Sequence, residues 1–384
     1  MKRSSDVVVI GGGCMGASVA YHLTRRGVTN VVLVERDKLL GTGSTGRNAG
    51  GVRHQFSNEA NIRLSIESIG LFERFADEVG QPIDLHQDGY LFLLSTERSV
   101  DVFRRNVALQ RSLGVDVQWL EPGDAAPLAP GVDVDGVLAA TFCSKDGIAD
   151  PNGVTSGFAK AAQARGAAIE RDTEVTGIRL EGTRVAAVET SRGTIETRIV
   201  VNAAGPWARQ VGRMASIDVP VDPVRRHIFI AALEAAGGTV PPSHVMVIDF
   251  DTTFYFHREG AGILFGMGDP HEAPTFDTTV QWDFLPRVIE VAVKRLPALA
   301  SASVSHAWAG LYEMTPDANP IIGPTVIDGL YCINGFSGHG FQHSPAAGRI
   351  LADLITGCDP GIDTSPFAFE RFAREHIAGE RYVV

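Results

Sequence analysis

The chain has 384 residues, 44% apolar and 21% charged, the composition of an ordinary globular protein and a length that allows two packed units, because single cores stop growing near about 250 to 300 residues. A formal net charge of −11 leaves no broad basic surface for phosphates, so nucleic acid is not an expected partner, although one buried Arg would still suffice for an acidic substrate. The cysteines Cys14, Cys143, Cys332 and Cys358 form no CxxC pair, and the first apolar run breaks after four residues; neither a metal site, a redox dithiol, a signal peptide nor a membrane span is expected, and a cytoplasmic location fits best.

In chain order, Val7-Val8-Val9-Ile10 reads as a buried parallel strand that runs into Gly11-Gly12-Gly13-Cys14-Met15-Gly16. In this GxGxxG pattern Gly11 permits the tight turn, Gly13 admits a pyrophosphate, and Gly16 lets the next helix pack closely. The helix runs from Ala17 to a stop at Gly27, and Val31-Val32-Leu33-Val34 forms a second strand ending on Glu35, where a ribose hydroxyl should bind. An acid there disfavours a 2′-phosphate and leaves NAD and FAD open. After Arg36 comes a small-residue loop, Gly41 through Gly43, Ser44, Thr45, Arg47, Asn48, Ala49, Gly50 and Gly51, whose amides and hydroxyls can wrap further phosphate and ribityl oxygens. A nicotinamide enzyme would not need it.

From this loop onward the sequence resembles the amino-acid oxidase family of flavoproteins, which includes sarcosine oxidase, glycine oxidase, dimethylglycine dehydrogenase and the β subunit of L-proline dehydrogenase. Three later segments carry the same resemblance: Ile199 through Asn202-Ala203-Ala204-Gly205-Pro206-Trp207; Gly310 through Thr315-Pro316-Asp317 with Pro320-Ile321-Ile322-Gly323; and Asn334-Gly335-Phe336-Ser337-Gly338-His339-Gly340-Phe341. The last is a glycine turn before a helix expected over about 344–355, whose positive end suits the anionic reduced flavin. The resemblance implies FAD as cofactor, with Val175, Ala204, Gly205, Trp207, Gly310, Gly335, Gly338, His339, Gly340, Phe341 and Gln342 joining the earlier loops around it.

It also implies a fold of the α/β class, a Rossmann-type FAD-binding domain interleaved with an antiparallel-sheet α+β substrate domain. The expected division gives 1–85, 146–214 and 306–384 to FAD, and 86–145 and 215–305 to substrate. A helix over 152–165 and strands over 168–175 and 184–190 suit the first; strands over 227–230, 251–257 and 262–265 suit a sheet roofing the flavin.

In such enzymes a hydride passes from the carbon next to nitrogen to the flavin, and the protein orients and desolvates the substrate. Arg53 matches the family arginine that follows the glycine loop and is the candidate clamp for a substrate carboxylate. Gln342 stands where sarcosine oxidases carry Lys and can hydrogen-bond but not neutralise a carboxylate. Tyr255 is a candidate substrate contact from the roof; His339 lies beside the flavin loop, and with His343 is read as structural. Gly310 and the region of Arg47 replace the Cys and His to which relatives attach flavin, so FAD is expected without a covalent link. Arg47 is expected to face phosphate or its own loop. The expected partners are a small amine or amino-acid substrate and oxygen or an electron-transfer protein as acceptor, with an oligomer or hetero-subunit arrangement open. Competing readings are a dehydrogenase subunit of a larger complex and a flavin-retaining scaffold without turnover.

Overall fold

The computed structural model describes residues 2–233, 244–373 and 379–380; the remaining positions of the expected domain ranges lie outside the described residues. Val7–Ile10 is buried on both faces and pairs in parallel with Val31–Val34 and with Ile199–Asn202, the registers Val7↔Val31 and Val7↔Ile199 fixing the centre of a six-stranded sheet. Leu330–Asn334 and Ala168–Glu170 extend it in parallel, and Ile321–Pro324 closes one edge antiparallel. Continuous β-branched strands of this kind need cover on both faces. The helix Cys14–Arg25 covers one face together with Pro151–Ala164 and Gly340–Thr356.

The first and last of these helices touch closely. Ser18 Oγ donates to the Ser344 carbonyl at 2.6 Å, and a Cβ on Gly348 would lie 2.1 Å from Ser18 Oγ. Their contact sets both N-termini side by side, at the carboxyl ends of the parallel strands, where ligands of such sheets bind. The final helix begins at Gly340, four residues before the expected start. Pro345 withholds its amide from Phe341, and the Ser344 hydroxyl supplies the missing donor to the Phe341 carbonyl at 2.8 Å.

A second, eight-stranded sheet stands over the first, in the order Ser303–Met314, Asp222–Ala232, Gly262–Met267, Phe254–Glu259, Met246–Asp249, Tyr90–Leu94, Ala139–Cys143 and Gln118–Leu120. All its pairings are antiparallel except Met246–Asp249 with Tyr90–Leu94. Its outer face packs Phe229, Phe254, Phe256 and Phe265 under the helix Leu285–Arg295. Asp222–Ala232 pairs with Ser303–Met314 from end to end, with one register shift where Ile230 meets His306 and Ala231 meets Val304, so the expected division at 306 falls within this strand beside that shift. The expected strand over 168–175 is also two: Ala168–Glu170 ends the parallel sheet, Asp172 turns the chain with φ 53°, and Val175–Glu181 starts a separate three-stranded meander.

Candidate active site

A continuous cavity lies between the two sheets, and its lower part is built from the glycine turn and the loop after Glu35. Gly11 takes φ 112°, and a Cβ there would stand 2.4 Å from the Ala203 carbonyl, so only glycine makes this turn. A Cβ on Gly16 would meet the Gly11 carbonyl at 1.9 Å, which is why the helix can sit directly on the turn. The Glu35 carboxylate is fixed by two backbone amides, Gly12 at 2.6 Å and Asp37 at 2.8 Å. Thr45 Oγ accepts the Cys14 amide at 3.1 Å and so brings the loop to the helix N-terminus. Burial pushes the Cys14 thiol up to about 11, which keeps it protonated and unreactive.

The loop is pinned to the roof from above. Ser44 Oγ donates to the Leu311 carbonyl at 2.6 Å, Arg47 Nη1 to Ala309 at 2.8 Å, and Trp308 Nε1 to the Arg47 carbonyl at 3.0 Å. At the ribose end Arg36 lies over the Trp207 ring at 3.7 Å, and Phe276 stacks on Trp207 with ring centroids 5.7 Å apart. Two helix N-termini, a side-chain-free turn and a fixed acid at the second strand end can together hold a dinucleotide with its phosphates on the dipoles. Across the cavity floor, Glu313 accepts the Gly335 amide at 3.0 Å; burial lifts its carboxyl to about 7, against the pull of the Gly335 and Phe336 amides.

The upper part carries three tyrosines and two arginines. Tyr90, Tyr255 and Tyr312 come from three different roof strands, and burial raises the phenol of each. Arg53 follows the short strand Gly51–Val52, is 6% exposed, and lies with its guanidinium carbon 3.9 Å from the Phe56 ring centroid. Its Nη1 donates to the Gln55 carbonyl and its backbone amide to Gln342 Oε1 at 2.6 Å. Behind it, Asp146 takes the His54 amide at 2.8 Å, His54 Nδ1 at 2.7 Å and Gln55 Nε2 at 3.1 Å. His54, Cys143 and Asp146 bring ligand-type atoms within 4.8 Å of one another, but the carboxylate is filled by these donors and acts as the anchor of the Arg53 segment. Arg226 reaches in from the strand Asp222–Ala232, its guanidinium carbon 5.1 Å from the Tyr312 ring centroid.

A family model described as FAD dependent oxidoreductase matches residues 6–354. The chain belongs to this family. It is an FAD-dependent oxidoreductase. Among curated relatives, FAD-dependent oxidoreductase domain-containing protein 1 of Xenopus laevis is 32% identical over 431 residues, covering 99% of this chain and 85% of that protein. Mitochondrial sarcosine dehydrogenase of Mus musculus is 30% identical over 97% of this chain but only 42% of its own length, so the chain spans less than half of that relative. The solved structure of L-proline dehydrogenase from P. horikoshii superposes with a TM-score of 0.90 at 35% identity, over 98% of this chain and 100% of that one. Among the described residues no helix is long and apolar enough to cross a membrane.

Most residues expected around the flavin line this one cavity: Gly11, Gly13, Cys14, Met15, Glu35, Arg36, Gly43 to Thr45, Arg47 to Ala49, Gly51, Val175, Ala204, Gly205, Trp207, Gly310, Gly338 and His339 through Gln342. Arg53 and Tyr255 line it as well. Gly16, Gly50 and Gly335 do not; they shape the backbone beneath it. Arg47 Nη1 donates to the roof carbonyl of Ala309, whose strand passes directly over the loop, and the residue lines the cavity. Both ring nitrogens of His339 have local partners, Ala318 O at 3.1 Å and His343 Nδ1 at 3.2 Å, and burial lowers its pKa to about 3. The ring is held neutral with both nitrogens engaged, and the residue lines the cavity. Sequence reasoning missed Tyr90, Arg226, Tyr312 and Glu313. Tyr312 and Glu313 were within reach, being two and three residues after Gly310.

Proposed function

We propose that this flavoprotein oxidises the carbon–nitrogen bond of an amino acid or N-alkyl amino acid, with Arg53 gripping the substrate carboxylate. The observation that carries this is the Arg53 guanidinium: buried, stacked on Phe56, tied to the Gln55 carbonyl and facing the cavity among the tyrosines. Sarcosine and proline, named for two relatives, are both secondary amines beside a carboxylate, which supports the same substrate class here. When bound, FAD accepts the hydride that leaves the carbon next to nitrogen, and the resulting imine hydrolyses in water.

The protein's share is binding, orientation and charge. The Arg53 fork fixes a carboxylate in two directions. The buried Tyr90 and the half-buried Tyr255 and Tyr312 limit water there, which strengthens that pair. The positive charge favours binding of the amine in its neutral, reactive form. Gln342 orients Arg53 through its backbone and is not itself a charge partner. We assign the unit around the six-stranded sheet to FAD, with Glu35 at ribose and the Gly11 turn at pyrophosphate, and the eight-stranded sheet to substrate. No Cys or His occupies Gly310 or the 41–51 loop, so FAD is held without a covalent bond. Cytoplasmic residence and transfer of electrons to oxygen or to a protein acceptor complete the reading.

The test is anaerobic mixing of the flavin-loaded protein with amino acids, N-methyl amino acids and alkylamines that lack a carboxylate. The carboxylated amines should bleach the flavin and the alkylamines should not. Equal bleaching by alkylamines would remove Arg53 from its role, and no bleaching by any amine would favour a scaffold.

A further inference from the structure

Alternation along Asp222–Ala232 sends its two arginines to opposite faces. Arg225 turns outward and pairs with Glu272 at 3.0 Å and Asp277 at 2.8 Å. Arg226 turns into the cavity, where its Nη1 donates to the Arg225 carbonyl at 3.0 Å and its Nε is buried with no hydrogen-bond partner. An unmet guanidinium N–H away from water costs free energy that a ligand oxygen recovers.

Arg226 lies against the Tyr312 ring, and Arg53 lines the same cavity. Burial raises the Tyr312 phenol, and the charges of Arg226 and then Arg53 oppose that rise. The acids that line the cavity stand elsewhere. Glu35, Asp37 and Glu174 belong to the ribose end, and Glu313 is held by the amides of the 335 loop. Two arginines therefore line the one cavity, and a single ligand carboxylate held by Arg53 would leave the buried Arg226 Nε unmet.

We propose that the substrate is an amine bearing two carboxylates, one on Arg53 and the second on Arg226; this rests on the Arg53 reading above and adds to it. An amino dicarboxylic acid and an amino acid with an N-carboxyalkyl group share this chemistry. The roof strand supplies the specificity, and the segment after the glycine loop supplies the grip common to all amino-acid substrates.

The experiment uses the flavin-loaded protein and follows the shift of its visible spectrum on adding inert carboxylates. Glutarate should bind at least about tenfold more tightly than butyrate, the effect of one added charge-assisted pair in a dry site. Arg226→Gln and Arg226→Met, each checked for full flavin content, should abolish that preference, so that glutarate and butyrate bind within about twofold of each other. Arg53→Ala should weaken both ligands. Anaerobic reduction then separates the two sources: iminodiacetate against sarcosine tests the N-carboxyalkyl class, and glutamate against norvaline tests the amino dicarboxylic class. Equal binding of glutarate and butyrate, or a preference that survives both Arg226 variants, overturns this inference and leaves Arg53 in place. Unchanged binding of both ligands in Arg53→Ala removes the underlying reading, and this one with it.

Discussion

Replacing Arg53 by Ala removes a guanidinium that the fold has already oriented. Its Nη1 is tied to the Gln55 carbonyl, and its plane rests on Phe56 at 3.9 Å and near Phe92 at 5.7 Å. The segment beneath is fixed by Asp146 through His54 and Gln55, with Thr141 Oγ donating to Gln55 Oε1 at 2.7 Å. Little side-chain freedom remains to be lost on binding, so nearly all of the charge-assisted pair reaches the transition state. At 6% exposure the pair is only weakly screened, and its loss should cost about 2 to 5 kcal/mol in kcat/KM, or about 30-fold to several thousandfold. Arg53→Lys keeps the charge without the fork and should fall between. FAD content should hold, because the backbone amide that meets Gln342 survives both substitutions. Anaerobic stopped-flow reduction of the flavin isolates the hydride step whatever the final acceptor. Unchanged reduction rate and substrate affinity in Arg53→Ala would refute the assignment, and loss of FAD would move the residue to the cofactor side.

Acid precipitation should release intact FAD into the supernatant, since Cys14 is a protonated buried thiol and both His339 nitrogens have partners; flavin in the pellet would contradict this. Gly13→Val should sharply lower the ratio of FAD to protein, because a Cβ there already lies 3.1 Å from the Thr45 hydroxyl that holds the Cys14 amide; an unchanged ratio would dismiss the pyrophosphate site. Glu313 gives a pH dependence of defined sign. Its carboxyl is raised by burial from 4.5 to about 7, so its stabilising contribution is complete below pH 4.5 and declines as pH rises through 7. The loss should approach about 3 kcal/mol by pH 8, and Glu313→Gln, which mimics the neutral acid, should flatten that slope in denaturant titrations of flavin-free protein. Parallel pH profiles of variant and wild type would show that the group does not titrate in this range.

The cofactor end was legible because its signals are contiguous. A strand, a glycine turn, a helix and a terminal acid follow one another within Val7 to Glu35, and each has a local physical reason for its residue types. Where the reading failed, a side-chain hydrogen bond had decided the matter, near in sequence in one case and distant in the other. The last helix starts at Gly340 and not near 344 because Ser344 satisfies the carbonyl that Pro345 leaves open, an arrangement invisible to a rule that places Pro in the first turn. Arg47 points to Ala309, 262 positions away, and nothing in its own loop announces that strand.

The substrate end is harder for a reason of register. The sequence shows Arg225 and Arg226 side by side, and alternation requires that one face the cavity and the other the outer layer, without saying which. The ladder Arg226↔Gly310 and Val224↔Tyr312 decides it: Arg226 shares a face with Tyr312 and crosses its ring diagonally, while Arg225 meets Glu272 and Asp277 outside. A slip by one residue would exchange them, turning Arg225 into the cavity and Arg226 toward Glu272 and Asp277. The same ladder sets Gly310 opposite Arg226, so no partner side chain stands between the guanidinium and the loop below. Thus the residue that distinguishes a dicarboxylate from a monocarboxylate in our reading is selected by strand pairing alone. Its chemistry is written in the sequence, and its direction is written only in the sheet.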